Sequence, residues 1–372
     1  PRRQRTLEPR HRTPFTPRCI KDIIEEDFFH ANSDLFTGMD LFFFDTTSIY
    51  FEGEGGDTLG QKGHTKDHRP DLNQMVVGTL ISDDGRPVCC EIWPGNTADV
   101  KTLLPVADRL KKRFPLDMFC LVADRGMISE ETVKELDNRD IPYILGSRMR
   151  KTREVREEVL SRPGRYAEIH PGGMKGPSPL KVKEVWVDDR RYIVCLNEKQ
   201  ARKDEQDRLL IIESLKEQLK KGPKSLVGNR GYRKYLKLDR EDIFIDEGKI
   251  QEESRYDGKW VLRTNTELPA EMVALKYKEL WQVEQAFRDI KSVLETRPVF
   301  HQTNETIRGH VFCSFLALVL RKELDSRLEK AGHSLEWADI KQDLEALQEV
   351  TIEEQKKRLA VRTECIGTCG KI

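Results

Sequence analysis

Two uninterrupted apolar runs, each ended by an aspartate, constrain the fold of this chain most strongly. Residues 41–44 are followed by Asp45, and residues 118–123 are followed by Asp124. Continuous apolar runs of this length predict strands that are buried on both faces. A carboxylate beside a buried strand is costly unless a cation neutralises it or nearby hydrogen bonds satisfy it. For any single aspartate, a turn that supplies such hydrogen bonds is the commoner explanation.

The sequence around the two runs has the pattern of an α/β protein. Strands are predicted at 41–51, 74–82 and 87–93, and an Asp-Asp-Gly turn joins the second strand to the third as a hairpin. A helix, a strand, a helix and a strand then follow at 99–113, 118–123, 129–138 and 142–146. Pro105 lies inside the first of these helices and marks either a kink or the true start of the helix.

Composition changes after residue 148, where the chain becomes highly charged and strand-like pieces alternate with a charged helix at 203–221. We interpret this region as a β-rich insertion that separates two parts of one core. The predicted division is a basic arm and short helix at 1–40, the first part of the core at 41–148, the insertion at 149–262, the second part of the core at 263–330 and a helical C-terminal tail at 331–372.

A helix without proline or glycine is predicted at 277–291, with the sequence YKELWQVEQAFRDIK. Tyr277, Glu284 and Lys291 are spaced seven apart, so they stack on one face of the helix. Arg288 lies one turn from Glu284 on the same side. Glu284 is therefore expected at the rim of a packed helix, with cations above and below it. For an isolated helix, a solvated Glu–Arg pair explains the same pattern.

Charge and cysteine content narrow the class of protein. Basic and acidic residues number 64 each, so net charge does not indicate a nucleic-acid partner. Residues 1–18, however, hold six arginines and one glutamate, which indicates either a disordered basic arm suited to phosphate contact or a plain solvated tail. The chain begins with proline, so we expect it to lack the start of a longer protein.

No stretch reaches the roughly 18 apolar residues of a membrane span, and no signal peptide is recognisable. The eight cysteines are scattered and show no disulfide framework, which is typical of proteins in a reducing cytoplasm. Cys365 and Cys369 make up half a zinc site at most, and we interpret them as two unpaired thiols.

Asp45, Asp124 and Glu284 together suggest a chemistry that no one of them suggests alone. Mg²⁺ prefers a few carboxylate oxygens and keeps water and phosphate in the rest of its coordination shell. Two such ions can activate a water or a 3′-hydroxyl and stabilise the leaving oxygen in a phosphodiester displacement. The residues alone therefore predict a metal-dependent phosphoryl-transfer enzyme.

The chain also resembles bacterial insertion-sequence transposases of the DDE type, in the branch with a Tyr-x2-Arg-x3-Glu-x6-Lys signature. Tyr277, Glu284 and Lys291 match that signature, whereas Leu280 stands at its arginine position and Arg288 is expected to serve instead. Further matching stretches within residues 41–320 are FDTTSIYFEG, GHTKDHRPDLNQMVVGTLISDDGRPVCCEIWPGNTAD, LVADRGMIS, DGKWVLRTNT and IRGHVFCSFLALVL.

The resemblance implies a ribonuclease H-like mixed sheet flanked by helices, with a β-rich insertion between the second aspartate and the glutamate. It implies that Asp45, Asp124 and Glu284 are the catalytic residues and the ligands of Mg²⁺, for which Mn²⁺ substitutes. Family members bind the terminal inverted repeats of their element, cut there and join the 3′-hydroxyl to target DNA within a dimeric complex. The implied partners are thus double-stranded DNA at both transposon ends and target, and a second copy of the chain.

The same resemblance suggests which residues bind DNA. Tyr277, Arg288 and Lys291 are expected along the DNA backbone, and Trp260 either stacks on a flipped base or packs one face of a strand. In the GHTKDHRPDLNQ stretch, the side chains interpreted as DNA or loop contacts are Lys66, His68 and Arg69.

Two alternatives to a cut-and-paste transposase remain open at this point. One is a DNA-binding transposase remnant that recognises ends without cutting, and the other is a ribonuclease H-like metallonuclease. The presence of all three carboxylates favours the transposase, because a remnant would tolerate losing any of them. We expect the protein in the cytoplasm, associated with the nucleoid and not with a membrane.

Overall fold

The computed structural model describes residues 19–32, 40–114, 116, 118–170, 179–220, 233–239, 242–354, 357–364, 367 and 370. The predicted basic arm at 1–18 and the two C-terminal cysteines lie outside these residues. The helices of the described part are α1 (Ile20–Asn32), α2 (Leu103–Arg113), α3 (Glu130–Asn138), α4 (Glu198–Lys220), α5 (Glu247–Ser254), α6 (Ala270–Lys278), α7 (Trp281–Arg288), α8 (Asn304–Lys330) and α9 (Trp337–Ala346). None of these helices is both long enough and apolar enough to cross a membrane.

The strands cover most of the positions predicted from the apolar runs. Within the described residues they are β1 (Asp40–Tyr50), β2 (Gln74–Ser82), β3 (Pro87–Pro94), β4 (Phe119–Ala123), β5 (Tyr143–Gly146), β6 (Ala167–Ile169), β7 (Leu180–Val187), β8 (Arg190–Asn197), β9 (Leu236–Asp239), β10 (Asp242–Ile245), β11 (Lys259–Thr264), β12 (Glu349–Glu354) and β13 (Lys357–Arg362). Helix α2 begins only two residues before Pro105, which therefore lies in the first turn, where proline is tolerated.

One large sheet organises the molecule, in the strand order β3-β2-β1-β4-β5-β11-β8-β7-β6. The first three strands form an antiparallel meander, and β1, β4 and β5 run parallel to one another. Helices cover both faces, as the prediction of a ribonuclease H-like mixed sheet requires. The fold class is thereby confirmed.

The apolar run of β1 is explained by cover on both sides of the sheet. Phe43 packs into a core shared with α7 and α8, whereas Phe42 and Phe44 pack into a second core shared with α2 and α3. Side chains alternate between the two faces of a strand, so cover on both faces explains why residues 41–44 are apolar at every position. Each fully buried phenylalanine contributes about 1.5–3 kcal/mol relative to an exposed one.

The strands of the predicted insertion do not form a separate sheet. β11 lies between β5 and β8 and pairs antiparallel with both, so the strands of the insertion extend the core sheet. Among the described strands of the insertion, only the small β9–β10 hairpin stands apart from it. Alternating burial along β7 signals a strand but does not say which sheet the strand joins, which long-range pairing decides.

The predicted helix at 277–291 is interrupted. Helix α6 ends at Lys278, α7 begins at Trp281, and a π-helical turn, Asp289–Val293, follows α7. No proline or glycine causes the break. Instead, Leu280 is 8% exposed and packs into the core, and its amide donates to the Tyr277 carbonyl three residues back, which tightens the chain there.

The tail after α8 also differs from the helical C-terminal tail that was predicted at 331–372. Helix α9 is followed by an antiparallel hairpin of β12 and β13, in which Val350 lies opposite Val361 and Ile352 opposite Leu359. These apolar residues alternate with polar ones, which is a strand pattern. Residues 349–362 include many charged side chains, so the alternation of apolar and polar residues was not recognised from the sequence.

Candidate active site

The register of two parallel strands brings Asp45 and Asp124 together. Phe44 of β1 is paired with Ala123 of β4, and each aspartate is the next residue along its strand. β4 ends at Ala123, so Asp124 leaves the sheet beside Asp45. Both side chains are partly exposed although the strands beneath them are buried. The predicted juxtaposition of the two carboxylates is thus a consequence of the sheet itself.

The carboxylate of Asp45 lies in a desolvated and negatively charged environment. The pKa of Asp45 is raised from 3.8 to about 6, chiefly by burial and also by the negative charges of Asp124 and Asp99. The Lys66 ammonium, 3.8 Å from Oδ1, and the Thr46 amide, which donates to Oδ1 at 2.7 Å, oppose this shift. Ionised Asp45 therefore costs free energy that a cation would recover.

Tyr277 holds the second aspartate. Its hydroxyl donates to Asp124 Oδ1 at 2.9 Å, and burial, together with the negative charge of Asp124, raises the pKa of the phenol. The hydroxyl therefore stays a proton donor. A Cβ at Gly146 of β5 would collide with it, so glycine at this position makes room for the contact. Tyr277, predicted on the DNA backbone, is here a partner of a carboxylate.

Glu284 lines the same open cleft as the two aspartates. The cleft has a volume of about 440 Å³, and Glu284 is exposed in it on α7. In the part of the chain that the structure describes, however, no three His, Cys, Asp or Glu side chains converge closely enough to hold a metal ion by themselves. The donor chemistry fits a hard divalent cation at Asp45 and Asp124, because carboxylate oxygens are its preferred ligands.

Asp99 lies beside Thr46 and Lys66 at the site, whereas the sequence predicted it only as the start of a helix. Thr46 Oγ1 donates to Asp99 Oδ1 at 2.7 Å, and Lys66 Nζ lies 3.4 Å from Asp99 Oδ2. Asp99 follows β3 in the motif PGNTAD, within a stretch that carries the family resemblance. An acidic residue a few positions after a core strand is the signal that could have identified it.

The loop between β1 and β2 brings one of its three predicted DNA contacts to the carboxylates. Lys66 Nζ donates to the Thr46 carbonyl at 2.5 Å and to Thr46 Oγ1 at 3.1 Å. Arg69 pairs instead with Asp71 at 2.8 Å on the surface. His68 is exposed, and its φ of 57° places it in the left-handed region. Neither His68 nor Arg69 lines the carboxylate cleft.

The remaining predicted DNA contacts lie in different environments. Trp260 lines the cleft and packs against the core, and among the described residues its buried indole N–H has no partner. Arg288 is exposed on α7. Lys291 is 11% exposed, and its Nζ lies 2.7 Å from Asp67 Oδ1. Leu280, at the arginine position of the signature, is buried in the core.

Comparison with known proteins identifies the family of this chain. Among solved structures, the chain is similar to the piggyBac transposase in a cryo-EM structure of its synaptic complex with hairpin DNA, with 8% sequence identity and a TM-score of 0.43. The match covers 80% of this chain and 49% of that one, so this chain spans about half the length of that relative. No curated protein matches the sequence. A family model described as "Transposase DDE domain" matches residues 36–320, and the chain therefore belongs to the DDE transposase domain family.

Proposed function

We propose that the chain is a DNA transposase that cuts at the terminal inverted repeats of an insertion sequence and joins the freed 3′-hydroxyl to target DNA. The observation that carries this proposal is that Asp45 of β1 and Asp124 at the end of the parallel strand β4 line one cleft together with Glu284. Paired carboxylates at an open cleft suit a phosphodiester substrate, because the cation that they hold is shared with phosphate oxygens.

Asp45, Asp124 and Glu284 would hold Mg²⁺, or Mn²⁺ in its place. When bound, the metal ions activate a water or a 3′-hydroxyl and stabilise the leaving oxygen. The chain itself orients the ligands: the Thr46 amide holds one oxygen of Asp45, and the Tyr277 hydroxyl holds one oxygen of Asp124. Carboxylates held in this way lose less conformational freedom when the metal and DNA arrive.

The cleft has the side chains that a DNA partner needs. Arg125, Lys259 and Lys278 line it together with the carboxylates and supply positive charge for phosphates. Trp260 lines it as well and offers an aromatic face on which an unpaired base could stack. We propose double-stranded DNA as the partner, a homodimer as the working assembly on DNA, and the nucleoid as the place of action.

A DNA-binding remnant without catalytic activity is the second candidate. It is favoured by the lack, among the described residues, of three side chains that converge as a metal site. The two functions differ in one observable, which is metal-dependent cutting of the DNA to which the protein binds.

The test is cleavage of a labelled duplex that carries the terminal repeat of the chain's own element, with and without Mg²⁺. We expect cutting at the repeat boundary that requires the metal and is lost in Glu284→Gln. Glu305→Gln is the matched control, because Glu305 is an exposed glutamate on α8 outside the cleft. Binding without cutting would support the remnant, and cutting along the whole duplex would support a general nuclease.

A further inference from the structure

The lysine of the transposase signature is engaged inside the protein. Lys291 Nζ lies 2.7 Å from Asp67 Oδ1, and the Arg297 guanidinium contacts the same oxygen. The side chain of Asp67 is 5% exposed and that of Lys291 is 11% exposed. Asp67 Oδ2 is buried and has no hydrogen-bond partner among the described residues. Two cations thus contact one buried carboxylate, and of the two Lys291 is the more deeply buried.

Such a cluster resists rearrangement. Removing one partner of a buried ion pair leaves an uncompensated buried charge, which is strongly destabilising. For Lys291 to reach a DNA phosphate, it would have to leave Asp67 and cross out of its buried position. The geometry therefore opposes the direct backbone contact that the spacing of the signature predicts.

Asp67 directly follows Lys66 in the sequence, and Lys66 is the cation that contacts the carboxylates of Asp45 and Asp99. The Lys66 amide donates to Ser48 Oγ at 2.8 Å, and its ammonium lies between Asp99 Oδ2 at 3.4 Å and Asp45 Oδ1 at 3.8 Å. The two neighbouring side chains thus diverge: one enters the buried cluster and the next reaches the catalytic carboxylates. Holding the first side chain fixes the backbone that presents the second.

We infer that Lys291 is a positioning residue that, with Arg297, anchors Asp67 and thereby sets Lys66 at Asp45 and Asp99. The inference rests on the proposed function only for its effect on DNA cleavage. Lys66 is then the positive charge held beside the carboxylates of Asp45 and Asp99, and Lys291 acts on the site through Asp67. The anchor also connects the segment that carries Glu284 with the loop that carries Lys66.

The first experiment needs no DNA. Rates of lysine acetylation by a water-soluble acetylating reagent are measured by mass spectrometry on wild type, Asp67→Asn and Lys291→Gln, after thermal melting has confirmed that each is folded. We expect Lys66 to react several-fold faster in both variants. Lys291→Arg, which keeps a cation on Asp67, is expected to restore the wild-type rate and serves if the other variants fail to fold. An unchanged Lys66 rate in folded Asp67→Asn or Lys291→Gln would overturn the inference.

The matched control is Lys322→Gln. Lys322 pairs with buried Asp289 at 3.5 Å, close to the same segment but away from the Lys66 loop. Loss of this pair removes a comparable lysine–aspartate contact and is expected to leave the Lys66 rate unchanged. An equal increase in this control would reveal general loosening of the fold and would contradict a specific anchor.

The second experiment separates anchoring from direct DNA contact. Affinity for the terminal-repeat duplex is measured against salt concentration in the presence of a chelator, and cleavage is measured in Mg²⁺. A direct contact predicts that Lys291→Gln lowers the salt slope by about one, whereas Asp67→Asn frees the lysine and does not weaken binding. Anchoring predicts an unchanged slope and an equal loss of cleavage in both variants, with no further loss in the double variant.

The two experiments distinguish failure of this inference from failure of the proposed function. If the wild-type protein neither binds nor cuts the duplex, the transposase proposal fails, and the acetylation rates still decide whether Lys291 positions Lys66. If the wild type cuts but Lys291→Gln alone loses affinity and salt slope, the anchor is wrong and the transposase proposal stands.

Discussion

The carboxylates of the site are carried by two unlike parts of the molecule. Asp45 lies on β1 and Asp124 directly follows the adjacent parallel strand β4, so the register of these two buried strands brings the carboxylates together. Glu284 is exposed on an eight-residue helix between a break and a π-helical turn. A hydrogen-bond ladder determines the first position, whereas the second depends on how a broken helix packs.

Two ties connect the helical part to the sheet part. At one end, the Tyr277 hydroxyl of α6 donates to Asp124. At the other, Lys291 of the π-helical turn pairs with Asp67, in the loop that carries Lys66. We therefore expect substitutions in the sheet to act on the chemistry directly, and substitutions of the ties to act on it through geometry.

The largest effect is expected in the sheet part. Asp124→Asn should lower single-turnover cleavage of the terminal-repeat duplex by about 1,000-fold, because metal ligation supplies several kcal/mol of transition-state stabilisation. DNA affinity in the presence of a chelator should remain near that of wild type. Asp325→Asn, in a surface pair with Arg321 on α8, is the control. Retained cleavage in Asp124→Asn would show that the sheet does not carry the reaction.

The second prediction concerns how ionisation of Asp45 lowers the free energy of unfolding. The pKa of about 6 in the folded protein exceeds the ordinary 3.8, so between these values the folded state holds a proton that the unfolded state has lost. The free energy of unfolding of the metal-free protein should therefore fall as pH rises through this window. Asp45→Asn should stabilise the protein by about 1–3 kcal/mol at about pH 8.

Urea unfolding with a chelator, at about pH 8 and about pH 4, measures this difference. The gain from Asp45→Asn should be much smaller at the lower pH, where Asp45 is protonated in the folded state and partly protonated in the unfolded state. Mg²⁺ should stabilise wild type more than the variant. An equal gain at both pH values would show that packing, and not the charge, causes the effect.

The third prediction tests the tie at Tyr277. Tyr277→Phe removes the hydroxyl that holds Asp124, and cleavage should fall about 10- to 150-fold, since a hydrogen bond to a charged group contributes about 1.5–3 kcal/mol. Tyr192→Phe is the matched control, because its buried hydroxyl donates to Glu154 and lies outside the cleft. If DNA affinity fell and the cleavage rate of bound DNA did not, Tyr277 would be a DNA contact instead.

The smallest effect is expected at Arg288, the exposed cation of the helical part. Arg288→Ala should weaken DNA binding a few-fold and lower the salt slope by about one, as expected for one phosphate contact. Stability should change by no more than about 0.5 kcal/mol, because the side chain is exposed. Arg327→Ala, also exposed and located on α8, is the control. An unchanged slope would exclude Arg288 from the DNA interface.

The difference between the two parts also explains which features could be predicted from the sequence. The apolar runs before Asp45 and Asp124 predicted β1 and β4, because a strand covered on both faces must be apolar throughout. The helix predicted at 129–138 is α3, which begins directly after Ser129. The Ser129 Oγ accepts from the Thr132 amide at 3.0 Å, a contact that is local in sequence. Such short-range requirements can be read from neighbouring residues.

The interruption at Leu280, the tail hairpin and the role of Asp99 required the structure. A helix of good formers is interrupted without proline or glycine, at the point where Leu280 is buried in the core and its amide bonds to the carbonyl three residues back. Asp99 joined the site through Thr46, which lies 53 positions away in sequence. Periodicity reports which face of an element is apolar but not which distant partner that face will meet.

The sequence by itself therefore determined the strands β1 to β5, their order along the chain and the two aspartates that directly follow apolar runs. Only the tertiary structure decided that Tyr277 holds Asp124, that Lys291 pairs with Asp67 and that the strands of the insertion extend the core sheet. The physical reason is that backbone preference and amphipathic pattern depend on near neighbours. Side-chain pairing and sheet assembly depend instead on contacts between residues that are far apart in the chain.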